Sequence, residues 1–182
     1  MREDQQESRA DTVGGSSEPQ DSVSTPSDGL LRLFVYGTLR RGHPNHDRFC
    51  RGFLFVERAT VPGTLRWLSP IIPMLEVPEG LILEVGTDDP LADVATQARW
   101  AQRLEELGQD YGPGGEAATR GHVGAVVGEV FVFDDPEARL PRLDALEGFR
   151  PGGNSLYSRV LLPIRADSTH IIPVWVYVAG YV

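Results

Sequence analysis

The sequence predicts an α+β protein whose strands form a mixed barrel or a curled sheet, and two observations lead to that prediction. Several runs along the chain show the alternation and the β-branched and aromatic content of strands. Only two segments carry the apolar spacing of a helix. Because few helices lie between the strands, a doubly wound α/β sheet is disfavoured.

The chain begins with a polar, acidic segment, residues 1–29. Ser, Gln, Asp, Glu, Gly and Pro dominate it, and large apolar side chains are nearly absent. Such a composition cannot offset the entropy lost on ordering. We therefore expect a disordered acidic tail at 1–29 and one folded domain over 30–182, and the folded part is then only mildly acidic.

The β-rich runs have recognisable bounds. The first alternates from Leu31 to Tyr36 and ends at Gly37, which predicts a strand that runs into a loop. Comparable runs predict strands at 58–68, 123–133, 156–165 and 171–178, with a weaker candidate at 81–85.

The first predicted helix has signals at both ends. Asp89 and Pro90 are typical of the N-cap and first helical position, and Gly108 is typical of the end of a helix. An apolar stripe between them is predicted to face the core. Its members are Leu91, Val94, Ala95, Ala98, Ala101, Leu104 and Leu107.

The second predicted helix begins in the same way, at Asp135 and Pro136, and runs to Glu147 before Gly148. Its apolar residues are leucines at helical spacing. Pro141 lies beyond the first turn, where proline removes a hydrogen bond and clashes with the preceding turn. We expect it to kink the helix or split it into two short turns.

Composition excludes several classes of function. The chain has 17 basic residues, all arginine, against 26 acidic ones, and its formal net charge of −9 argues against nucleic acid or an anionic membrane as a partner. The absence of lysine removes Schiff-base and P-loop chemistry. Cys50 alone can form no internal disulfide, and no apolar run has membrane-spanning length. These features predict a cytoplasmic protein.

The loop after the first strand is a candidate anion site. A chain that turns at Gly37 can expose successive backbone N–H groups, which bind a carboxylate without a cationic side chain. An ordinary strand–turn–helix corner explains the same pattern. Asn45 is expected to cap a short helix through Cys50.

Glu147 is a candidate proton carrier. It ends an apolar helical turn, where partial burial would raise its pKa toward that of a useful general base. The alternative is that Asp144 and Glu147 are both surface acids near a helix end.

Two other groups of residues bear on a possible zinc site and on a possible platform for stacking bases. His43, His46, Asp47 and Cys50 suggest zinc ligands, but their spacing matches no standard site and a distant ligand such as His122 would be required. We therefore expect no metal. The tryptophans are predicted to lie in the core or on a helix face rather than to form a platform for stacking bases. They are Trp67, Trp100 and Trp175.

The motifs together resemble the γ-glutamylcyclotransferase-like family, also called avirulence-induced-gene-like. The resemblance rests on Val35-Tyr36-Gly37-Thr38-Leu39-Arg40, on Leu143-Asp144-Ala145-Leu146-Glu147-Gly148 and on Leu156-Tyr157. The run Gly42-His43-Pro44-Asn45-His46 is most similar to the γ-glutamylamine cyclotransferase branch. The resemblance implies a small mixed β-barrel with flanking helices, a γ-glutamyl pocket floored by Tyr36, Gly37, Thr38 and Leu39, and a catalytic Glu147. Tyr157 is expected to line that pocket.

The activity that the resemblance implies is a cyclotransferase. It converts a γ-glutamyl amide into 5-oxoproline and a free amine, with no cofactor. The alternative is a binding module on the same fold that turns nothing over. The chain departs from compact members by an inserted helical segment at about 86–121. We expect this segment to shape the amine side of the pocket, so the identity of the amine is left open, as is the oligomeric state.

Overall fold

The computed structural model describes residues 29–108, 124–166 and 171–180. The predicted tail therefore lies outside the described residues except for Gly29, as do His122 and most of the connection that follows the first long helix. The elements of the described part follow in chain order. The strands are β1 Leu31–Val35, β2 Phe55–Pro62, β3 Thr64–Ser69, β4 Ile72–Glu76, β5 Glu84–Val85, β6 Ala125–Phe133, β7 Tyr157–Ala166 and β8 Ile171–Ala179, and the helices are α1 His46–Phe49, α2 Pro90–Leu107 and α3 Pro136–Glu147.

Five strands close into a barrel in the order β2-β6-β1-β8-β7, and pairing of β2 with β7 completes the ring. The first strand β1 lies parallel to β8, whereas the other pairs are antiparallel. The short β5 adds to the edge of β7, and β3 with β4 forms a separate hairpin. The predicted fold class is confirmed: this is an α+β fold, a small mixed β-barrel with flanking helices.

The predicted strand at 58–68 is wrong in its extent, because the chain turns at Gly63. There β2 ends in the barrel and β3 begins in the hairpin. A Cβ on Gly63 would lie 2.6 Å from the Glu76 carbonyl oxygen, so only glycine allows this close approach. The sequence analysis also missed β4.

The weak candidate at 81–85 is only partly a strand. Residues Glu79–Leu81 form a 3₁₀ turn, and β5 contains just Glu84 and Val85. Leu81 is buried, and its burial explains the apolar signal without a strand.

The bounds of α2 are confirmed, but the predicted buried face is partly wrong. The Asp89 side chain accepts hydrogen bonds from the Leu91 and Ala92 N–H groups, and Gly108 ends the helix with φ of 71°. Leu91 and Ala95 are exposed, while Asp93 and Gln97 are buried. These two residues face the barrel, where each has hydrogen-bond partners, Arg159 for Asp93 and the Leu30 and Arg32 backbone for Gln97.

Gln97 joins α2 to the start of the barrel. Its Oε1 accepts from the Arg32 N–H at 2.9 Å, and its Nε2 donates to the Leu30 carbonyl at 2.9 Å. The described part of the proposed insert, residues 86–108, thus packs on the core, with contacts to β8 and α3. It does not project as a lid.

Pro141 is expected to kink the second helix or to split it, and the split is wrong, since α3 is one continuous helix over 136–147. The missing donor removes a single helical hydrogen bond. Leu140 and Leu143, one on each side of the proline, are fully buried and hold both halves against the barrel.

Alternate residues of β1 enter two apolar clusters. Leu33 and Val35 pack with the helices, including Val94 and Leu140. Phe34 packs among side chains of the other strands. The period-2 pattern of β1 is therefore explained by burial on both faces. None of the described helices has the length and apolar character needed to cross a bilayer.

Candidate active site

A small cavity of about 50 Å³ opens where β1 ends. Phe34, Val35, Pro73 and Tyr177 form part of its lining. The rest of the lining consists of the six site residues that the sequence analysis singled out, Tyr36, Gly37, Thr38, Leu39, Glu147 and Tyr157. Residues separated by more than 100 positions in the sequence thus meet at one site.

The loop at the cavity floor is fixed by hydrogen bonds of Tyr36 and by close packing at Gly37. The Tyr36 hydroxyl donates to the Tyr177 carbonyl at 2.9 Å and accepts from the Leu75 N–H at 3.2 Å. A Cβ on Gly37 would lie 3.0 Å from Pro73 Cγ, so this position leaves little space for a side chain. The loop conformation is therefore determined by its neighbours rather than by the loop alone.

Asn45 has a different function from the one predicted. It occupies the N-cap position of α1, but its side chain makes no capping hydrogen bond. Its Nδ2 instead donates to Thr38 Oγ1 at 2.9 Å, and its backbone N–H donates to the Thr38 carbonyl at 3.1 Å. Asn45 thus holds the loop in place.

The backbone N–H groups of the loop have no acceptor within the described part of the chain. Gly37, Thr38 and Leu39 contribute carbonyl oxygens to hydrogen bonds, but none of their N–H groups donates to a described residue. Unpaired N–H groups beside a cavity are suited to a carboxylate or a developing oxyanion.

Glu147 is the last residue of α3, and Gly148 follows it in the left-handed conformation with φ of 67°. This turn ends the helix and leaves the Glu147 side chain at the cavity wall. Its carboxylate is partly buried and makes no hydrogen bond or ion pair with any described residue. Burial raises the pKa of Glu147 to about 7.

The Glu147 carboxylate contributes to the raised pKa of two tyrosines in the cavity. Burial, and to a lesser degree Glu147, raises the pKa of Tyr157 to about 12. Burial also raises the pKa of Tyr36, with smaller contributions from Tyr157 and Glu147. Both phenols are therefore neutral near pH 7. The Tyr157 hydroxyl donates a hydrogen bond to the Pro73 carbonyl at 2.8 Å.

Tyr177 connects the cavity to a buried charged network. Its hydroxyl donates to Asp144 Oδ1 at 2.6 Å. The fully buried Arg159 donates to Asp144 Oδ1 at 2.9 Å and to Asp93 Oδ2 at 2.7 Å. Asp93 also accepts from the Thr87 N–H. This network joins α2, α3, β7 and β8 behind the cavity wall.

A much larger groove of about 1220 Å³ continues from the small cavity. The two spaces share lining residues, among them Gly37, Thr38, Glu147 and Tyr157. Side chains of the β3–β4 hairpin form part of the groove wall. No residue of the described part of the insert, 86–108, lines either space.

The four residues that were compared with a zinc site, His43, His46, Asp47 and Cys50, have other surroundings. His46 Nδ1 lies 3.1 Å from the Leu39 carbonyl, and His43 contacts the Arg40 guanidinium at 3.1 Å. Asp47 pairs with Arg51, and Cys50 is buried. Within the described residues, no group of three or more potential ligands surrounds a common position.

The site contains several residues that sequence reasoning missed. Tyr177 and Pro73 line the cavity, and Asp144 was considered only as a surface acid. Tyr177 lies within a run of strand residues that reads as ordinary core. Only the pairing of β8 with β1 brings it to the site, and that pairing has no local signal in the sequence.

Comparison with known proteins finds one matching family model and similar solved structures, two of which are described below. A family model described as gamma-glutamyl cyclotransferase, AIG2-like, matches residues 33–89 and 87–181. An AIG2-like protein from Mus musculus is 18% identical, with a TM-score of 0.42, and the match covers 82% of this chain and 77% of the mouse protein.

The second structure is YkqA from Bacillus subtilis. It is 20% identical, with a TM-score of 0.43, and the match covers 84% of this chain. The chain spans only 38% of the length of YkqA. No curated protein matches the chain significantly.

Proposed function

Because the chain belongs to the gamma-glutamyl cyclotransferase, AIG2-like family, we propose that it converts a γ-glutamyl amide into 5-oxoproline and a free amine. The observation that carries the proposal is the position of Glu147. Its carboxylate lies at the wall of a small cavity, and its pKa is raised to about 7. A carboxylate with such a pKa can both take up and release a proton near neutral pH.

The reaction needs no nucleophile from the protein. The α-amine of the glutamyl group attacks its own γ-carbonyl carbon, a five-membered lactam forms, and the bond to the amide nitrogen breaks. The proton lost by the α-amine ends on the departing amine nitrogen, so no water or cofactor is consumed. A cavity that holds the glutamyl chain curled makes use of the high effective molarity of intramolecular attack.

Glu147 is the group that we assign to this proton transfer. As a carboxylate it accepts the proton of the attacking amine, and as the acid it returns that proton to the departing nitrogen. No hydrogen bond within the described chain competes for its oxygens. The neutral phenols of Tyr36 and Tyr157 line the cavity without contributing a second charge.

The loop after β1 supplies the complementary part of the site. The unpaired N–H groups of Gly37, Thr38 and Leu39 are suited to the negative oxygen that develops on the γ-carbonyl, or to the α-carboxylate of the substrate. The Tyr177 carbonyl and the Asn45 side chain each hold this loop by a hydrogen bond. Preorganised donors of this kind cost no reorganisation during the reaction.

The test is the Glu147→Gln substitution, assayed for release of 5-oxoproline from γ-glutamyl amides and for substrate binding by titration calorimetry. Gln keeps the shape but carries no titratable proton, so turnover should fall by roughly two to four orders of magnitude while binding persists. Glu137→Gln is the matched control, since Glu137 is an exposed acid on the same helix.

Two results would contradict the proposal. Near-normal turnover by the Glu147→Gln variant would remove Glu147 from the mechanism. Binding of γ-glutamyl amides by the unaltered protein without release of 5-oxoproline would instead favour a binding module that uses the same cavity.

A further inference from the structure

The larger groove begins at Glu147, where the scissile bond of the proposed reaction would lie. It shares Gly37, Thr38, Glu147 and Tyr157 with the small cavity. If the small cavity holds the glutamyl group, the amine half of the amide extends into the groove. The chemistry of the groove wall therefore bears on which amines are accepted, an inference that rests on the proposed function.

One part of the wall is the β3–β4 hairpin, which is not paired to the barrel. Trp67 and Ile71 line the groove and are 61% and 75% exposed. Leu65 and Ile72 continue the same lining. Large apolar side chains grouped in an exposed groove are typical of a binding surface.

Apolar residues also stand directly beside the site residues in sequence. Leu146 precedes Glu147, Leu156 precedes Tyr157, and both leucines line the groove and are exposed. A chain attached to the scissile nitrogen would therefore meet apolar side chains as soon as it leaves the small cavity.

The charges of the lining are equally informative. Among the described residues that line the groove, Glu147 is the single acidic residue and Arg40 is the single arginine. The Arg40 guanidinium contacts the His43 ring at 3.1 Å and interacts electrostatically with Glu129, which does not line the groove. Among the described lining residues, a second ammonium group on the amine half would find no acidic partner except the residue needed for proton transfer, and Arg40 would repel it.

We propose that the groove selects γ-glutamyl amides of uncharged, apolar amines, with an alkyl or aryl group of several carbons lying against the hairpin at Trp67. Amides whose far end carries an ammonium group are poor substrates. The selection acts on the amine half, so the glutamyl group is recognised in the same way in every substrate.

A matched series of substrates tests the proposal. The N-methyl amide of γ-glutamate reports on the glutamyl half alone. The n-hexyl amide adds an apolar chain, and the monoamide of 1,5-diaminopentane has the same length with an ammonium group in place of the terminal methyl. Since each buried methylene contributes up to about fourfold, we expect kcat/KM for the hexyl amide to exceed both others by at least roughly tenfold.

Two variants locate the selectivity on the hairpin. Trp67→Ala removes an exposed side chain from the groove wall and should lower kcat/KM for the hexyl amide by roughly threefold to tenfold, with no change for the methyl amide. Leu68→Ala is the control, because Leu68 is 59% exposed on the same strand but does not line the groove. Leu68→Ala should change kcat/KM for neither the hexyl amide nor the methyl amide.

The outcomes separate this proposal from the proposed function. If the methyl amide is turned over and the ammonium-bearing amide is turned over as well as or better than the hexyl amide, the groove proposal is overturned and the proposed function stands. Equal effects of Trp67→Ala and Leu68→Ala also overturn it. If no amide is turned over, the proposed function fails. The groove proposal is then decided by the same ranking of the three amides measured as binding affinities. If none of the amides binds, both proposals are overturned.

Discussion

Burial of Glu147 gives the protein a stability that depends on pH. Burial raises the pKa of this carboxyl from an ordinary value of 4.5 to about 7, so the folded state favours the neutral acid. Between these two values the folded protein retains a proton that the unfolded chain has lost. Stability therefore falls as pH rises through this window, and above pH 7 the full cost of the buried charge is present.

We predict that Glu147→Gln increases the free energy of unfolding at pH 8 by about 1 to 3 kcal/mol. The gain should shrink as pH falls toward 4.5 and vanish below it, because both side chains are then neutral. Urea denaturation at pH 4, 6 and 8 measures this difference. A gain that is the same at all three values would show that the effect does not come from ionisation.

At the scale of single residues, the sequence analysis found the residues that line the cavity better than the residues that hold them in place. Glu147 and the loop 36–39 carry local signals, namely a helix end and a glycine turn, whereas Tyr157 was expected only from the family resemblance. Tyr177 and Asp144 do not, because their importance depends on a hydrogen bond between a strand and a helix. Polar partners across elements leave no periodic pattern in the sequence.

At the scale of elements, α2 shows why a correct helix prediction can carry a wrong face. Its bounds follow from Asp89, Pro90 and Gly108, which act locally. Its orientation follows from Asp93 and Gln97, whose partners lie on β7 and at the start of β1. The apolar stripe alone predicted an ordinary amphipathic helix. We therefore expect deletions within 90–107 to unfold the protein rather than to alter the choice of amine.

Arg159 on β7 forms ion pairs that attach α2 and α3 to the barrel. We predict that Arg159→Met destabilises the protein by roughly 3–5 kcal/mol. The substitution leaves the buried Asp93 and the partly buried Asp144 without their shared cation. Arg103→Met is the control, because Arg103 lies exposed on α2 and its loss should change stability by less than about 0.5 kcal/mol. Chemical denaturation measures both, and equal midpoints would refute the role of Arg159.

At the scale of the whole molecule, we predict that the first 27 residues are dispensable for folding and turnover. Their composition is too polar to form a core, and the described structure begins at Gly29, just before β1. Thermal melting and 5-oxoproline release should be unchanged in a chain that starts at Asp28. A broadened melting transition or lost turnover would show that the segment belongs to the domain.

The barrel itself was predictable only as a class. Alternating runs predicted most strands but not the closure of β2 on β7, and the hairpin β3–β4 begins at a turn at Gly63 that the sequence analysis overlooked. That turn separates one apolar run into two elements with different functions. The first belongs to the barrel, and the second forms a wall of the groove.

The parallel pairing of β1 with β8 has a consequence for the time course of folding. The Tyr36 hydroxyl that anchors the site loop bonds to a carbonyl 141 residues further along the chain. A nascent polypeptide on the ribosome thus exposes β1 and its loop long before their partner strand exists. Contacts of such high sequence separation slow folding, and catalytic competence arises only after β8 has been synthesised and docked.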